Sequence, residues 1–223
     1  MYSLILTVKD SVVKTLYLKT IGSTQKHLKE LIKAKEIKAP FAVIADIQTD
    51  GIGSRENSWN SLEGNLFLSF AIELENLPND LKLESASIYF AYILKTALND
   101  FNSEVWIKWP NDFYVKDKKI GGMITNIVDN VLICGVGLNL VTQPDGFEKL
   151  DVEVTREDLV KKYFKKIEKK ISWKQVFSKY QLEFDKNKNF FTHNKSLRIP
   201  LEDVTLQSDG SIVRNGERIY SLR

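Results

Sequence analysis

Three short stretches hold the residues best suited to polar chemistry. The first runs from Gln48 to Trp59 and contains Gly51, Gly53 and Arg55. The second joins Lys108, Trp109, Pro110, Asn111 and Asp112 to Lys119, Ile120, Gly121 and Gly122. The third is Gly135, Val136, Gly137, Leu138 and Asn139. Seven of the eleven glycines fall between Gly51 and Gly137. Clustered glycine marks backbone that turns tightly or lets a ligand approach. Each cluster also carries an amide, a cation or both, which points to one polar site for an anionic, hydrogen-bonding ligand. Phosphoryl and adenylyl transfers depend on positioning and on cations that neutralise developing charge, often with magnesium. Lys108, Lys119, Arg55 and Asp112 supply such groups. The amides of Gln48 and Asn139 offer both donor and acceptor, as reading a ureido ring or an adenine edge requires. Trp59, Trp106 and Trp109 are candidates for the wall of an apolar pocket and equally for the core.

Covalent catalysis is poorly supported. A Ser-His-Asp or Cys-His nucleophile needs a positioned histidine. His27 lies in a predicted amphipathic helix and His193 in a polar loop, and these are the only two histidines. The single cysteine, Cys134, stands in an apolar strand and reads as an inert core residue. It excludes an internal disulfide framework and a multi-cysteine zinc site. Gly51-Ile52-Gly53 lacks the third glycine of a dinucleotide fingerprint, and no Gly-Lys-Ser/Thr phosphate loop occurs.

The elements around these clusters are predicted as follows. Residues 1–20 are apolar and β-rich, and Ser23 or Thr24 caps a helix carrying Leu28, Leu31 and Ile32. The run 41–45 is a buried strand feeding the first cluster, 66–72 is a second strand, and 84–97 is helical. Alternation through Val105, Ile107 and Trp109 gives a strand that Pro110 ends. Strands at 113–115 and 123–128 are joined by the charged turn 116–119, and Asp129-Asn130 turns into a strand at 131–137. Thr155 and Ser172 begin two further helices. Asp209-Gly210 and Asn215-Gly216 then signal hairpins. The expected fold is α+β: a mixed β-sheet with packed helices over 1–195, and a small C-terminal β-module over 196–223.

A chain of 223 residues can bury a full core. Its net charge of +3 comes from 32 basic against 29 acidic residues. Most of the basic excess lies in 161–195, where apolar residues recur at helical spacing between lysines, so it reads as the wet face of a helix. No apolar run approaches the ~20 residues of a membrane span. The N-terminus lacks the pattern of a signal peptide. The expectation is a cytoplasmic protein without membrane contact.

In their order and spacing the clusters resemble the catalytic region of biotin protein ligases. Gln48 to Trp59 matches that family's glycine-arginine-rich loop. Residues 108–112 match its Lys-Trp-Pro-Asn-Asp motif, Lys119 to Gly122 its Lys-Ile/Leu-Ala/Gly-Gly motif, Gly135 to Asn139 its Gly-x-Gly-x-Asn strand end, and Ser23-Thr24 its early biotin segment. The resemblance covers about residues 15–145. It implies a class II synthetase-like catalytic domain and an SH3-like β-module at the C-terminus. It implies that biotin's carboxylate attacks the α-phosphate of ATP to give biotinyl-AMP. A lysine of the biotin carboxyl carrier protein of acetyl-CoA carboxylase then takes the biotinyl group. The implied biotin site is Ser23, Thr24, Gln25, Gln48, Gly51, Ile52, Gly53, Ser54, Lys119, Gly121 and Gly122. The implied ATP site is Arg55, Trp59, Lys108, Asn111, Asp112 and Asn139. Lys119 and Arg55 would be catalytic, and Asp112 would hold Mg2+.

Two departures stand out. The family loop commonly reads Gly-Arg-Gly-Arg, whereas Ile52 and Ser54 occupy its arginine positions here and Arg55 follows. Arg55 is expected to replace the missing cation in part. The match also begins by Ser23, which argues against an N-terminal DNA-reading domain of ~60 residues and against DNA as a partner. A lipoate–protein ligase of the same architecture and a non-catalytic ligand-binding module stay open. A homodimer also stays open, because an exposed sheet edge cannot be told from a paired one.

Overall fold

The structure, a computed structural model, describes residues 3–7, 13–53, 58–194 and 197–221. In chain order its elements begin with β1 (Ser3–Thr7), β2 (Lys14–Ile21), α1 (Thr24–Lys33), β3 (Phe41–Gln48), β4 (Gly51–Ile52), β5 (Ser58–Trp59) and β6 (Leu66–Glu73). There follow α2 (Ala86–Asn99), β7 (Trp106–Lys108), β8 (Asp112–Val115), β9 (Lys118–Val128), β10 (Val131–Leu138), α3 (Arg156–Ile167) and α4 (Trp173–Glu183). The C-terminal part holds β11 (Phe191–Asn194), β12 (Leu197–Pro200), β13 (Thr205–Leu206), β14 (Ile212–Arg214) and β15 (Glu217–Ile219).

One sheet of eight strands runs in the order β1-β2-β3-β6-β10-β9-β8-β7. β2 and β3 pair in parallel and the other neighbours are antiparallel. The sheet is covered on both faces, which is why its central strands read as continuous apolar runs. On β3, Ala42 and Ile44 join the core beneath α2 and α3, while Phe41 and Val43 join the smaller core under α1. On β10, Leu132, Cys134, Val136 and Leu138 belong to the first core and Ile133 to the second. Gly135 and Gly137 therefore share the face of Ile133. Leu28 and Ile32 of α1 cover the Ile133 end of that face. Beyond α1 the glycines leave the sheet open.

Several expectations are corrected by this architecture. The β8–β9 turn consists of Lys116 and Asp117 alone, with Lys116 at φ 52°. Lys119 thus lies in a strand, opposite Tyr114. His193 lies on β11, and it is Arg198 of β12 that faces it. Asn215 (φ 50°) and Gly216 (φ 81°) form the expected two-residue turn between β14 and β15. Asp209 and Gly210 instead belong to a five-residue loop closed by Gln207 N–H to Ser211 O at 2.8 Å. β11 and β12 pair antiparallel, with Phe191 opposite Pro200.

Trp109 is fully buried and donates from Nε1 to Gly210 O at 2.8 Å, and Trp173 Nε1 donates to Ser208 O at 2.8 Å. These bonds pin the C-terminal segment against the body that carries the eight-stranded sheet. Trp106 is buried too and donates to Lys116 O. Trp106 and Trp109 are core residues, not pocket walls. α3 buries Leu159, Val160, Tyr163 and Phe164, which leaves its lysines on the wet face. Among the described residues no helix is long and apolar enough to cross a membrane.

Candidate active site

The N-terminus of α1 begins the site. Ser23 caps the helix, accepting from Lys26 N–H at 3.4 Å. Thr24 then donates twice to Gln48 Oε1 on β3, from its backbone N–H at 2.8 Å and its hydroxyl at 3.0 Å. The same hydroxyl lies 2.9 Å from Ser69 Oγ on β6. Gln48 Nε2 reaches Ser61 Oγ at 3.3 Å. The Gln48 amide is thereby held in one orientation with its edge at the cavity.

Gln25 is buried and donates to Asn126 Oδ1 at 3.2 Å and Ile133 O at 3.3 Å. Its Oε1 has no partner among the described residues. A Cβ on Gly135 would lie 2.6 Å from that oxygen, so glycine is the residue that admits this side chain. Gly137 does the same for Trp59. A Cβ there would stand 2.5 Å from Trp59 Cε2. The indole packs against the strand, and its buried Nε1–H has no partner among the described residues.

Another part of the site is ionic. Lys119 Nζ pairs with Asp112 Oδ1 at 2.7 Å, and Lys108 Nζ lies 3.5 Å from Asp112 Oδ2. Burial opposes ionisation of Asp112, but the two ammonium groups outweigh it and hold the carboxyl below the usual range. A Cβ on Gly122 would meet Asp112 Oδ1 at 3.2 Å and Lys119 Nζ at 3.7 Å. Glycine there leaves room for a ligand beside both charges.

These groups surround a cavity of 380 Å3. Of the expected residues, Ser23, Thr24, Gln25, Gln48, Ile52, Gly53, Trp59, Asn111, Asp112, Lys119 and Gly122 line it. Gly51 pairs with Trp59 behind the lining, and Gly121 packs against Gly137 O. Lys108 faces a neighbouring cavity. Asn139 is buried at the strand end, bonded to Glu148 O at 3.0 Å, and its Oδ1 has no partner among the described residues. Ser54 and Arg55 lie outside the described residues. Ser58 and Val136, from the first and third clusters, also line the cavity, as do Ser69, Met123, Ile124 and Phe147, which sequence reasoning passed over. Ser69 carried a signal: it is the polar residue within the apolar run of β6.

The cavity is lined by neutral amides and hydroxyls, by Ile52 and Ile124, and by a lysine beside a carboxylate. It suits a ligand with a neutral polar head, an apolar middle and an anionic end. Among the described residues no three His, Cys, Asp or Glu side chains gather to hold a metal. Asp112 alone still fits Mg2+, which is commonly held by one carboxylate together with substrate phosphates. Cys134 points to the other face of the sheet, and burial pushes its thiol up.

Residues 17–139 match the Biotin/lipoate A/B protein ligase family. The chain is 31% identical over 130 residues to the bifunctional ligase/repressor BirA of Escherichia coli (strain K12), covering 55% of this chain and 39% of that protein. It is 34% identical over 142 residues to BirA of Bacillus subtilis (strain 168), covering 59% of this chain and 42% of that one. It thus spans well under half the length of these curated relatives. The biotin acetyl coenzyme A carboxylase synthetase of Helicobacter pylori, solved with bound biotinylated ATP, superposes with a TM-score of 0.89 at 35% identity. That match covers 92% of this chain and 98% of the other. The chain belongs to the biotin/lipoate A/B protein ligase family.

Proposed function

We propose that the chain activates biotin with ATP and transfers it to a carrier lysine. The observation that carries this reading is one cavity lined both by the neutral amides of Gln25 and Gln48 and by Lys119 paired with Asp112. Biotin's ureido ring matches the Thr24, Gln25 and Gln48 end, which offers donors and acceptors without charge. Its carboxylate then reaches Lys119. There a carboxylate oxygen attacks the α-phosphorus of ATP. Lys119 Nζ offsets the repulsion between the carboxylate and the phosphate and neutralises the charge that builds on the phosphate oxygens. Holding both reactants at one point removes most of the entropic cost of their meeting. AMP is a good leaving group in the second step, so the amine of the carrier attacks the anhydride without an enzyme nucleophile. This agrees with a buried Cys134 and with histidines that do not line the cavity.

In this reading Trp59, with the strand end at Asn139, receives the adenosine. Gly51 to Ser54 close over the intermediate, and Asn111 and Asp112 organise the phosphates. Mg2+ would sit with Asp112 and the phosphates and neutralise their charge. Arg55 supplies the cation that Ser54 cannot, and Arg55→Ala should slow formation of the adenylate or let it leak. The acceptor is the biotin carboxyl carrier protein of acetyl-CoA carboxylase, and the reaction takes place in the cytoplasm. A lipoate-specific enzyme would have no ureido group to pair with Gln48 and Gln25. Titration calorimetry with biotin and with lipoate tests this: biotin should bind and lipoate should not. A module that only binds would retain biotin and release no pyrophosphate.

A further inference from the structure

Gln25, in the first turn of α1, is 4% exposed, and its amide spans two cross-strand pairs of the sheet. Asn126 of β9 stands opposite Ile133 of β10, and Ile124 stands opposite Gly135. Gln25 Nε2 donates to both members of the first pair, Asn126 Oδ1 and Ile133 O. An amide nitrogen carries two hydrogens, so both are used. Gln25 Oε1 lies over the second pair, since a Cβ on Gly135 would meet that oxygen at 2.6 Å and Ile124 Cγ1 at 3.2 Å. The amide cannot turn over without cost. Ile133 O only accepts, and a turned amide would set oxygen against oxygen. Gln25 therefore keeps its donors at the end covered by α1 and its acceptor beside Gly135 and Ile124, which line the cavity. That acceptor is buried and has no partner among the described residues. A ligand N–H placed there would relieve the cost of leaving it unpaired.

We infer that Asn126 is a positioning residue for the substrate: it holds Gln25 so that the cavity demands an N–H donor from the ring bound in it. The inference rests on the biotin reading and deepens it. Asn126 is half-buried and faces the neighbouring cavity, so it acts on the ring through Gln25. Biotin's ureido ring carries N–H groups, whereas the dithiolane ring of lipoate carries none. A site built around a buried acceptor rejects a ligand without the donor more strongly than an apolar pocket rejects a misfit in size, because the acceptor stays unpaired. Removing Asn126 Oδ1 leaves one amide hydrogen of Gln25 without its acceptor at the sheet and loosens the oxygen over Gly135. Asn126→Leu deletes the acceptor at similar volume. Asn126→Asp keeps an acceptor oxygen in place and adds no donor.

Calorimetry with biotin tests this role in Asn126→Leu, Asn126→Asp, Gln25→Leu and the variant carrying both leucines, with thermal melting to verify each fold. Where leucine lowers the melting temperature, Asn126→Ala carries the same expectation. The Kd for biotin should rise about tenfold in Asn126→Leu, the effect of one buried polar group left unpaired, while the KM for ATP moves far less. Asn126→Asp should bind biotin about as wild type does. In the Gln25→Leu background, Asn126→Leu should add little, because the amide through which it acts is gone. An unchanged Kd in Asn126→Leu, an Asn126→Asp variant as weak as Asn126→Leu, or losses that simply add in the double variant would each overturn the role. Wild type that binds no biotin would defeat the biotin reading itself. Exchange of the Gln25 side-chain amide protons in ligand-free protein, followed by NMR, then still decides the positioning. Faster exchange in Asn126→Leu supports it, and equal exchange overturns it.

Discussion

Gly137→Ala asks whether the glycines of β10 exist to seat the site. The new Cβ would lie 2.5 Å from Trp59 Cε2 and 2.8 Å from both Cζ2 and Nε1. Carbon atoms rest about 3.5–4.0 Å apart, so something must retreat by roughly 1 Å. The strand cannot do so easily, because Gly137 is paired with Phe67 on one side and Gly122 on the other. Trp59 is held by a ribbon of two residues per strand, pairing with Gly51. The indole should therefore be what moves. Overpacking of this kind costs about 1–3 kcal/mol. If the nucleotide requires the indole in place, that cost appears in the use of ATP as a loss of roughly five- to 150-fold. The assay is biotin-dependent pyrophosphate release across an ATP titration, in Gly137→Ala, Trp59→Ala and the double variant. KM for ATP should rise in Gly137→Ala by far more than the Kd for biotin. In the Trp59→Ala background the added methyl should have little further effect, because its clash partner is gone. Effects that simply add, or an unchanged KM for ATP in Gly137→Ala, would refute this role for the glycine.

Gly135→Ala should act on the other substrate. Its Cβ would press on Gln25 Oε1 at 2.6 Å, so calorimetry should register weaker biotin binding with a smaller change in KM for ATP. Asp112→Asn should show a particular pH dependence. The folded carboxyl is held low by Lys119 and Lys108 against the opposing effect of burial, so its contribution to stability is present above the unfolded carboxyl range and lost as pH falls through the folded value. Denaturant melts should find the wild-type advantage constant from about pH 5 to 8 and shrinking below about pH 4. An advantage that grows on acidification would contradict the ion-pair assignment. Cys134 is fully buried with its thiol pushed up, so alkylating reagents should leave native protein active and label it only on unfolding.

The site's polar residues were legible in the sequence because their chemistry is unusual for a core. Gln48, Lys119, Asn111 and Asp112 stand in segments otherwise built for strands, and the cavity gathers all four. The helix caps at Ser23, Thr155 and Ser172 were legible for a local reason: each is decided within four residues. What stayed hidden depends on pairing between distant segments. Ser69 enters the site because β6 places it opposite Gly135 of β10 and Val43 of β3. Trp109 looks like a ligand wall by its neighbours in sequence, yet its indole is claimed by Gly210, about a hundred residues on. The role of each glycine was also hidden. Gly135 and Gly137 make room for protein side chains as well as for a ligand, and only the fold names those side chains.

The most direct measurement is pyrophosphate release from ATP with and without biotin, in wild type and in Lys119→Met. Release should require biotin, and the variant should fall by about 10²–10³-fold, the loss expected when a preorganised group at the reacting phosphate is removed. Release that is indifferent to biotin, or a Lys119→Met rate equal to wild type, would contradict the meeting of carboxylate and phosphate at that ammonium group.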